Sequence, residues 1–150
     1  MRATWRRSWR SVGRLIAIVD AGPLYAAADS DDEDHDRCVE VLRRQDLQLM
    51  IPTMVVAEAT YFVGTRLGVS AEAAFLRGMA SLELEAPSQE DWQRIADLVE
   101  RYGDFPLGGA DASVVALAER VGASVVVTLD HRHFAAVQPL HRPAFDLLPA

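Results

Sequence analysis

The stretch Leu15-Ile16-Ala17-Ile18-Val19-Asp20 sets five consecutive apolar residues in front of a carboxylate. Near the other end of the chain Val125-Val126-Val127-Thr128-Leu129-Asp130 repeats the pattern. Short apolar runs without alternation read as central strands of a parallel sheet, buried on both faces. In open α/β sheets the ligand crevice lies outside the carboxyl ends of such strands. Asp20 and Asp130 therefore fall where a site is expected. Two further acids, Glu58 and Asp111, fall on helical apolar stripes, the first among Val55, Ala59 and Phe62, the second among Val114, Val115 and Ala118. An acid on such a stripe is costly unless something positive meets it. Together the four imply an acidic pocket that binds metal.

Outward from the first run, Gly22-Pro23 turns the chain into a helix over Leu24–Ala28, and Asp29–Asp36 is a solvated acidic loop that starts the next helix, 35–46. The loop lacks the glycine and the terminal glutamate that a calcium loop needs. A strand follows at Leu47–Ile51, and Pro52-Thr53 opens the helix carrying Glu58, which Gly68 ends. Ser70 is expected to cap a helix reaching Ala80, and Ser81–Glu85 to form a short strand. Ser88 to Asp91 has capping-box spacing and opens a helix with the stripe Trp92, Ile95, Ala96, Val99 and Tyr102. Gly103–Gly109 reads as a loop, Asp111–Val121 as a helix, Ser124–Thr128 as a strand and Ala144–Leu148 as the last strand. Strands separated by helices argue for an α/β fold around a mostly parallel sheet.

One domain accounts for 150 residues, half of them hydrophobic and a quarter charged. The single cysteine, Cys38, forms no internal disulfide and reads as a buried structural thiol, which suits a reducing cytoplasm. Charge is uneven. There is no lysine, and positions 1–14 hold five of the fifteen arginines and no acid, leaving ten arginines against twenty-two acids in 15–150. An acidic body does not attract nucleic acid by its bulk field, so a nucleic-acid substrate must be gripped by bound metal and a few local arginines. The Arg-rich segment, with Trp5 and Trp9, reads as a flexible extension, an upstream-start artefact or a short RNA-contacting arm. The apolar run after it stops at Asp20, too short for a signal peptide, and no stretch approaches a membrane span.

Taken singly, the acids have ordinary explanations. Asp111 follows Gly108-Gly109 as a helix N-cap would, and Asp20 and Asp130 suit turns. Glu58 in mid-helix has no such role, and the conjunction of four carries the argument. Two carboxylates about 4 Å apart repel by about 4 kcal/mol at an effective dielectric of 20, so several such pairs rival the ~5–15 kcal/mol stability of a domain. Protonation, arginine or a cation must relieve this. Oxygen-only ligation suits Mg²⁺ or Mn²⁺, ions that stabilise in-line phosphodiester displacement. His131 and His133 read as surface residues around Phe134, which anchors that turn, and His35 as a helix-start residue. Neither a Gly-rich phosphate loop nor a nucleophile elbow is present.

The segments VDAGPLYA (19–26), VVAEATYFV (55–63), LGGADASVVALAE (107–119) and TLDHRHF (128–134) resemble the four blocks of PIN-domain ribonucleases, in particular the toxins of VapBC toxin–antitoxin pairs. The resemblance spans about residues 15–148. It implies a PIN-like three-layer α/β/α fold over 15–150 with a central mostly parallel sheet, and metal-dependent cleavage of RNA, a transfer or ribosomal RNA, leaving a 5′-phosphate and a 3′-hydroxyl. It also implies a homodimer and a cognate VapB-type antitoxin that inserts a segment into the acidic groove. Carried over by motif, Asp20 and Asp111 bind the principal metal, and Glu58 and Asp130 complete its shell directly or through water. Asp104 matches a recurrent family acid but reads as peripheral; Thr128 matches a hydroxyl near the pocket. Positions 53–66 and 70–80, with Tyr61, Phe62, Val63, Leu67, Phe75 and Met79, carry more apolar surface than one core face needs and are the expected dimer region. The Arg-rich start departs from the family pattern.

Two competing chemistries remain. Transfer through an aspartyl-phosphate wants a pocket lysine or, in dehalogenase-like phosphatases, an acid two residues after Asp20, where Gly22 stands. A non-catalytic module whose acidic groove captures an arginine-bearing partner would use the same residues.

Overall fold

The computed structural model describes residues 13–150, so the Arg-rich segment, apart from Gly13 and Arg14, lies outside the described residues. Five parallel strands form one sheet in the order β3-β2-β1-β4-β5: β1 (Leu15–Val19), β2 (Leu47–Pro52), β3 (Leu84–Glu85), β4 (Val125–Val127) and β5 (Asp146–Leu148). Among the described residues seven helices flank it: α1 (Ala21–Ala28), α2 (His35–Leu42), α3 (Thr53–Leu67), α4 (Val69–Met79), α5 (Gln89–Arg101), α6 (Gly109–Val121) and α7 (His131–Ala136). The chain steps from β1 out to β3, then crosses back to β4 on the other side of β1. That reversal puts the crevice of the sheet beyond the ends of β1 and β4. The expected three-layer α/β/α architecture is present, with every strand pair parallel.

The second run is core throughout β4, and the first is core from Ala17 onward, with Leu15 exposed at the strand's start. Ala17, Ile18 and Val19 are fully buried, as are Val126 and Val127, and the two strands pair in register, Ala17 with Val125 and Val19 with Val127. α6 is apolar on all sides, with Ala112–Ala118 buried without interruption, as befits a helix enclosed by protein. Cys38 is buried, and burial pushes its thiol up to about 11. Gly68, at φ 93°, makes the sharp joint between α3 and α4, and Gly122, at φ 71°, ends α6 in the left-handed region.

Several boundaries differ from the sequence reading, each for a local reason. α1 begins at Ala21 rather than Leu24, because Asp20 itself caps it; Pro23 falls in the first turn, where its missing N–H costs nothing. α2 stops at Leu42, and Arg44 turns to pair with Asp46. Gly68, not Ser70, precedes α4, and α6 starts two residues before Asp111. α7 was read only as a turn. Val63 is fully buried against the core, whereas Tyr61, Val69 and Leu76 are exposed and α4 buries no residue of its own.

α5 is rotated relative to its expected stripe. Trp92 and Val99 face solvent, and the inward line is Asp91, Ile95 and Leu98. The capping box explains the rotation. The Ser88 hydroxyl accepts the Asp91 N–H (3.2 Å) and the Asp91 carboxylate accepts the Ser88 N–H (3.0 Å), while Arg120 of α6 donates to the same carboxylate at 2.8 Å. An acid bound on two sides is carried inward and turns the helix with it. Replacing Asp91 by alanine removes the reciprocal cap and strands Arg120, so it should cost about 2 kcal/mol by urea unfolding. Glu90→Ala, on the exposed side of the same turn, should stay within about 0.5 kcal/mol of the parent.

Candidate metal centre

Asp20 closes β1 while its backbone N–H still donates to the Val127 carbonyl of β4 (2.9 Å). Its side chain turns back as the cap of α1, one oxygen accepting the Ala21 N–H at 2.8 Å. The other oxygen accepts the Thr128 hydroxyl at 2.8 Å, and the Thr128 oxygen in turn accepts the Asp130 N–H at 2.9 Å. Thr128 is fully buried and Asp20 is 5% exposed. The β1–β4 register therefore fixes both the position and the orientation of one carboxylate.

Glu58 reaches the same place from α3 and Asp111 from the first turn of α6. One oxygen from each of Asp20, Glu58 and Asp111 lies within 4.8 Å of the others, the one such grouping of metal-binding side chains among the described residues. The cluster sits in a groove of about 480 Å³ whose lining also includes Tyr25, Phe62, Arg66 and Asp130. Glu58 is not embedded in an apolar stripe as expected; it lies on the exposed rim, because α3 turns Val55, Ala59 and Val63 inward instead. Asp111 is not the cap of α6, a place held by Gly108, so its carboxylate is free to face the groove.

Asp130 behaves differently from the other three. It lines the groove, but its carboxylate caps α7 by accepting the His133 N–H (3.1 Å) and also pairs with the His133 ring. His133 is not the independent surface residue expected; its ring stacks on Phe105 with centroids 4.6 Å apart. Asp104 is exposed and outside the groove lining. Arg66, stacked on Tyr25 and Phe62, is the groove residue that the sequence reading overlooked; its signal was the four-residue spacing Glu58, Phe62, Arg66 on one helix.

Crowding shows in the carboxyl groups. Burial raises Asp20 above its usual range, opposed by its bonds from Thr128 and Ala21. Burial in the groove wall, then the charge of Asp20, raises Glu58 despite its exposed rim position. Asp111 is pushed up to about 7 by burial, then by repulsion from Asp20, Glu58 and Asp130. Neither Glu58 nor Asp111 has a hydrogen-bond partner among the described residues. A set of hard oxygen donors, mutually repelling and short of protein donors, fits a divalent cation of the Mg²⁺ or Mn²⁺ type.

Residues 17–138 match the PIN domain family. The chain is 37% identical over 134 residues to Ribonuclease VapC26 of Mycobacterium tuberculosis, covering 88% of this chain and 99% of that protein. Among solved structures it resembles the Mycobacterium tuberculosis toxin VapC20, described as cleaving the sarcin–ricin loop, with TM-score 0.75 and 17% identity over 85% of this chain and 98% of that one. It also resembles VapBC2 of Rickettsia felis bound to a promoter DNA fragment, with TM-score 0.67 and 17% identity over 89% and 98% of the two chains.

The raised Asp111 value has a definite sign. Between the ordinary carboxylate value near 3.8 and about 7, the native state holds more protons than the unfolded chain, so stability falls as pH rises across that window. Metal-free protein should therefore melt higher at pH 5.5 than at pH 8, and Asp111→Asn should flatten the profile and raise the melting temperature at pH 8. Mg²⁺ should stabilise most at pH 8, and calorimetry in buffers of different ionisation enthalpy should show proton release on binding at pH 6.5. A flat profile for the metal-free parent would contradict the raised Asp111 value and the burial and crowding that cause it.

Proposed function

The chain belongs to the PIN-domain family, among its VapC-type members, and we propose that it is an endoribonuclease toxin held inactive by a cognate VapB-type antitoxin. The observation that carries this reading is the convergence of Asp20, Glu58 and Asp111 within 4.8 Å in an open groove at the reversal of the sheet. Asp20 and Asp111 would hold the principal cation, Mg²⁺ or Mn²⁺, with Glu58 as a further oxygen donor from the rim. Asp130 serves at one remove, through water and through its charge. The bound ion would supply positive charge for the phosphate oxygens and acidify the attacking water.

The protein's own part is preorganisation. Thr128 and the Ala21 N–H each occupy one oxygen of Asp20, so the carboxylate enters the reaction already oriented. Glu58, on the rim, faces arriving substrate, and Asp111, its proton held up to about 7 by burial and neighbouring acids, would have to be ionised to hold a cation. Structured ribosomal RNA is the first substrate class to try, following the sarcin–ricin loop named for VapC20, and transfer RNA the second. The VapBC and toxin–antitoxin complexes among the structural relatives support a VapB-type partner, and the acidic groove is where we place it. The exposed Tyr61, Val69 and Leu76, on or beside a helix that buries nothing of its own, support a homodimer through α3 and α4. No helix among the described residues is long and apolar enough to cross a membrane, and a buried lone cysteine suits the cytoplasm. Residues 15–150 act as the nuclease unit, with positions 1–14 adding affinity for RNA.

Purified, partner-free protein should cut ribosomal or transfer RNA with Mg²⁺ or Mn²⁺ and stop in excess EDTA. Asp20→Ala, Glu58→Ala and Asp111→Ala should each lose orders of magnitude in kcat, and Asp130→Ala less. Thr128→Val keeps the shape but frees Asp20, and should cost about 10–100-fold in metal affinity or rate. Equal cleavage by the parent and Asp20→Ala, or persistence in EDTA, would sink the nuclease reading and leave an acidic groove that only binds a partner. Light scattering should give a dimer at tens of micromolar that Leu76→Asp converts to monomer.

A further inference from the structure

Five of the ten arginines in 15–150 are committed to acids. Arg37, Arg44, Arg94, Arg120 and Arg142 all stand in ion pairs, those of Arg94 and Arg120 fastening α5 to α6. Arg66 is not. It makes no ion pair among the described residues, and its guanidinium carbon lies 4.7 Å from the Phe62 ring centroid and 5.1 Å from that of Tyr25. All three line the groove that holds the acidic cluster, where Arg66 is the cationic side chain. Helical side chains lean toward the N-terminus of their helix. Arg66 accordingly lies back over Phe62, one turn nearer Glu58, with about 12 Å of helix axis between the Glu58 and Arg66 backbones. Tyr25 approaches from α1, its hydroxyl anchored by donation to Asp29 at 2.8 Å.

Aromatic faces attract a guanidinium without cancelling its charge. An ion pair in this position would have neutralised it. The arrangement therefore keeps one positive group, restrained in place, beside a cluster that repels phosphate until a cation binds. The geometry points to a nucleotide subsite: Arg66 binds a phosphate of the RNA strand neighbouring the one presented to Asp20, Glu58 and Asp111, and Tyr25 and Phe62 are its positioning residues. This rests on the nuclease reading above. An RNA strand is favoured over an acidic segment of a protein partner because the same groove carries carboxylates, which a cation can bridge to phosphate and which would repel an acidic peptide.

The test pairs kinetics with binding. Arg66→Gln should raise KM about tenfold and leave kcat within about twofold. Affinity for a short single-stranded RNA is measured by anisotropy in Ca²⁺, which should occupy the cluster with little cleavage. The slope of log K against log salt should then become shallower by about 0.7, one single-strand phosphate contact. Arg66→Lys should restore the slope and part of KM; Tyr25→Leu should raise KM a few-fold with the slope unchanged. Melting temperature and Mg²⁺ calorimetry of Arg66→Gln should match the parent, which excludes a folding or metal defect. Parental KM and slope in Arg66→Gln would overturn the subsite. So would intact RNA binding combined with lost antitoxin affinity, which would assign Arg66 to the protein partner. If the parent binds Mg²⁺ and RNA but never cleaves, the nuclease reading falls, and the slope alone decides the subsite.

Discussion

The buried hydrogen bond from Thr128 to Asp20, 2.8 Å long, joins the ends of the two central strands where negative charge is densest. It forms because β1 and β4 run in register, so that the residues following Val19 and Val127 emerge side by side. One hydroxyl thereby orients the innermost carboxylate and also receives the backbone N–H of Asp130, which starts α7. Without that strand register neither Asp20 nor α7 would have its place. The groove acids arriving from α3 and α6 are set against an acid that cannot swing away. Their mutual repulsion is therefore maintained by the fold, and burial together with that repulsion holds the Asp111 proton up to about 7.

Such crowding opposes folding and favours ligand capture. Carboxylates a few ångströms apart cost several kcal/mol when all are charged, a sizeable part of a domain's net stability. The chain offsets this elsewhere. α6, buried along Ala112–Ala118, ties the groove to the core, and the Arg94–Glu119 and Arg120–Asp91 pairs lock it to α5 with little solvent access. These pairs stand on the far end of α6 from Asp111, so the helix is anchored at one end and carries the crowded acid at the other.

The legibility of the sequence divides along the same line. Continuous apolar runs announced β1 and β4 because a strand buried on both faces has no alternation to confuse. The acids at their ends, Asp20 and Asp130, followed from topology alone. Periodicity was less secure where a polar group was carried inward. Asp91 turned α5 away from Trp92, since a capped and ion-paired acid outweighs a tryptophan that can remain half in solvent. Val63 was read as surplus surface, and Glu58 as an embedded acid, because a helix wedged between elements buries a line that composition does not single out. Asp130 shows the limit of counting acids: it closes its strand run as Asp20 does, but the helix it caps and the His133 ring beside it take its oxygens. No local pattern shows that; it depends on the short α7 folding back after Asp130.

α3 gathers what an acidic nuclease needs on one face. Glu58, Phe62 and Arg66 follow at successive four-residue steps, an acid for a cation, a ring to seat a guanidinium, and the guanidinium itself. A protein with a strongly negative body gains nothing from a general positive field, and scattered surface arginines would be drawn to the surplus acids, as Arg37 and Arg44 are. Keeping one arginine available for phosphate requires a partner that holds it without charge, and an aromatic ring is the side chain that does this. The same helix then sets the distance between the cluster and the cation. That spacing is rigid to the extent that α3 is, from the Pro52 that precedes it to the Gly68 that ends it. On the proposed subsite, substrate strand and metal would be measured against a single element, the helix that carries both Glu58 and Arg66.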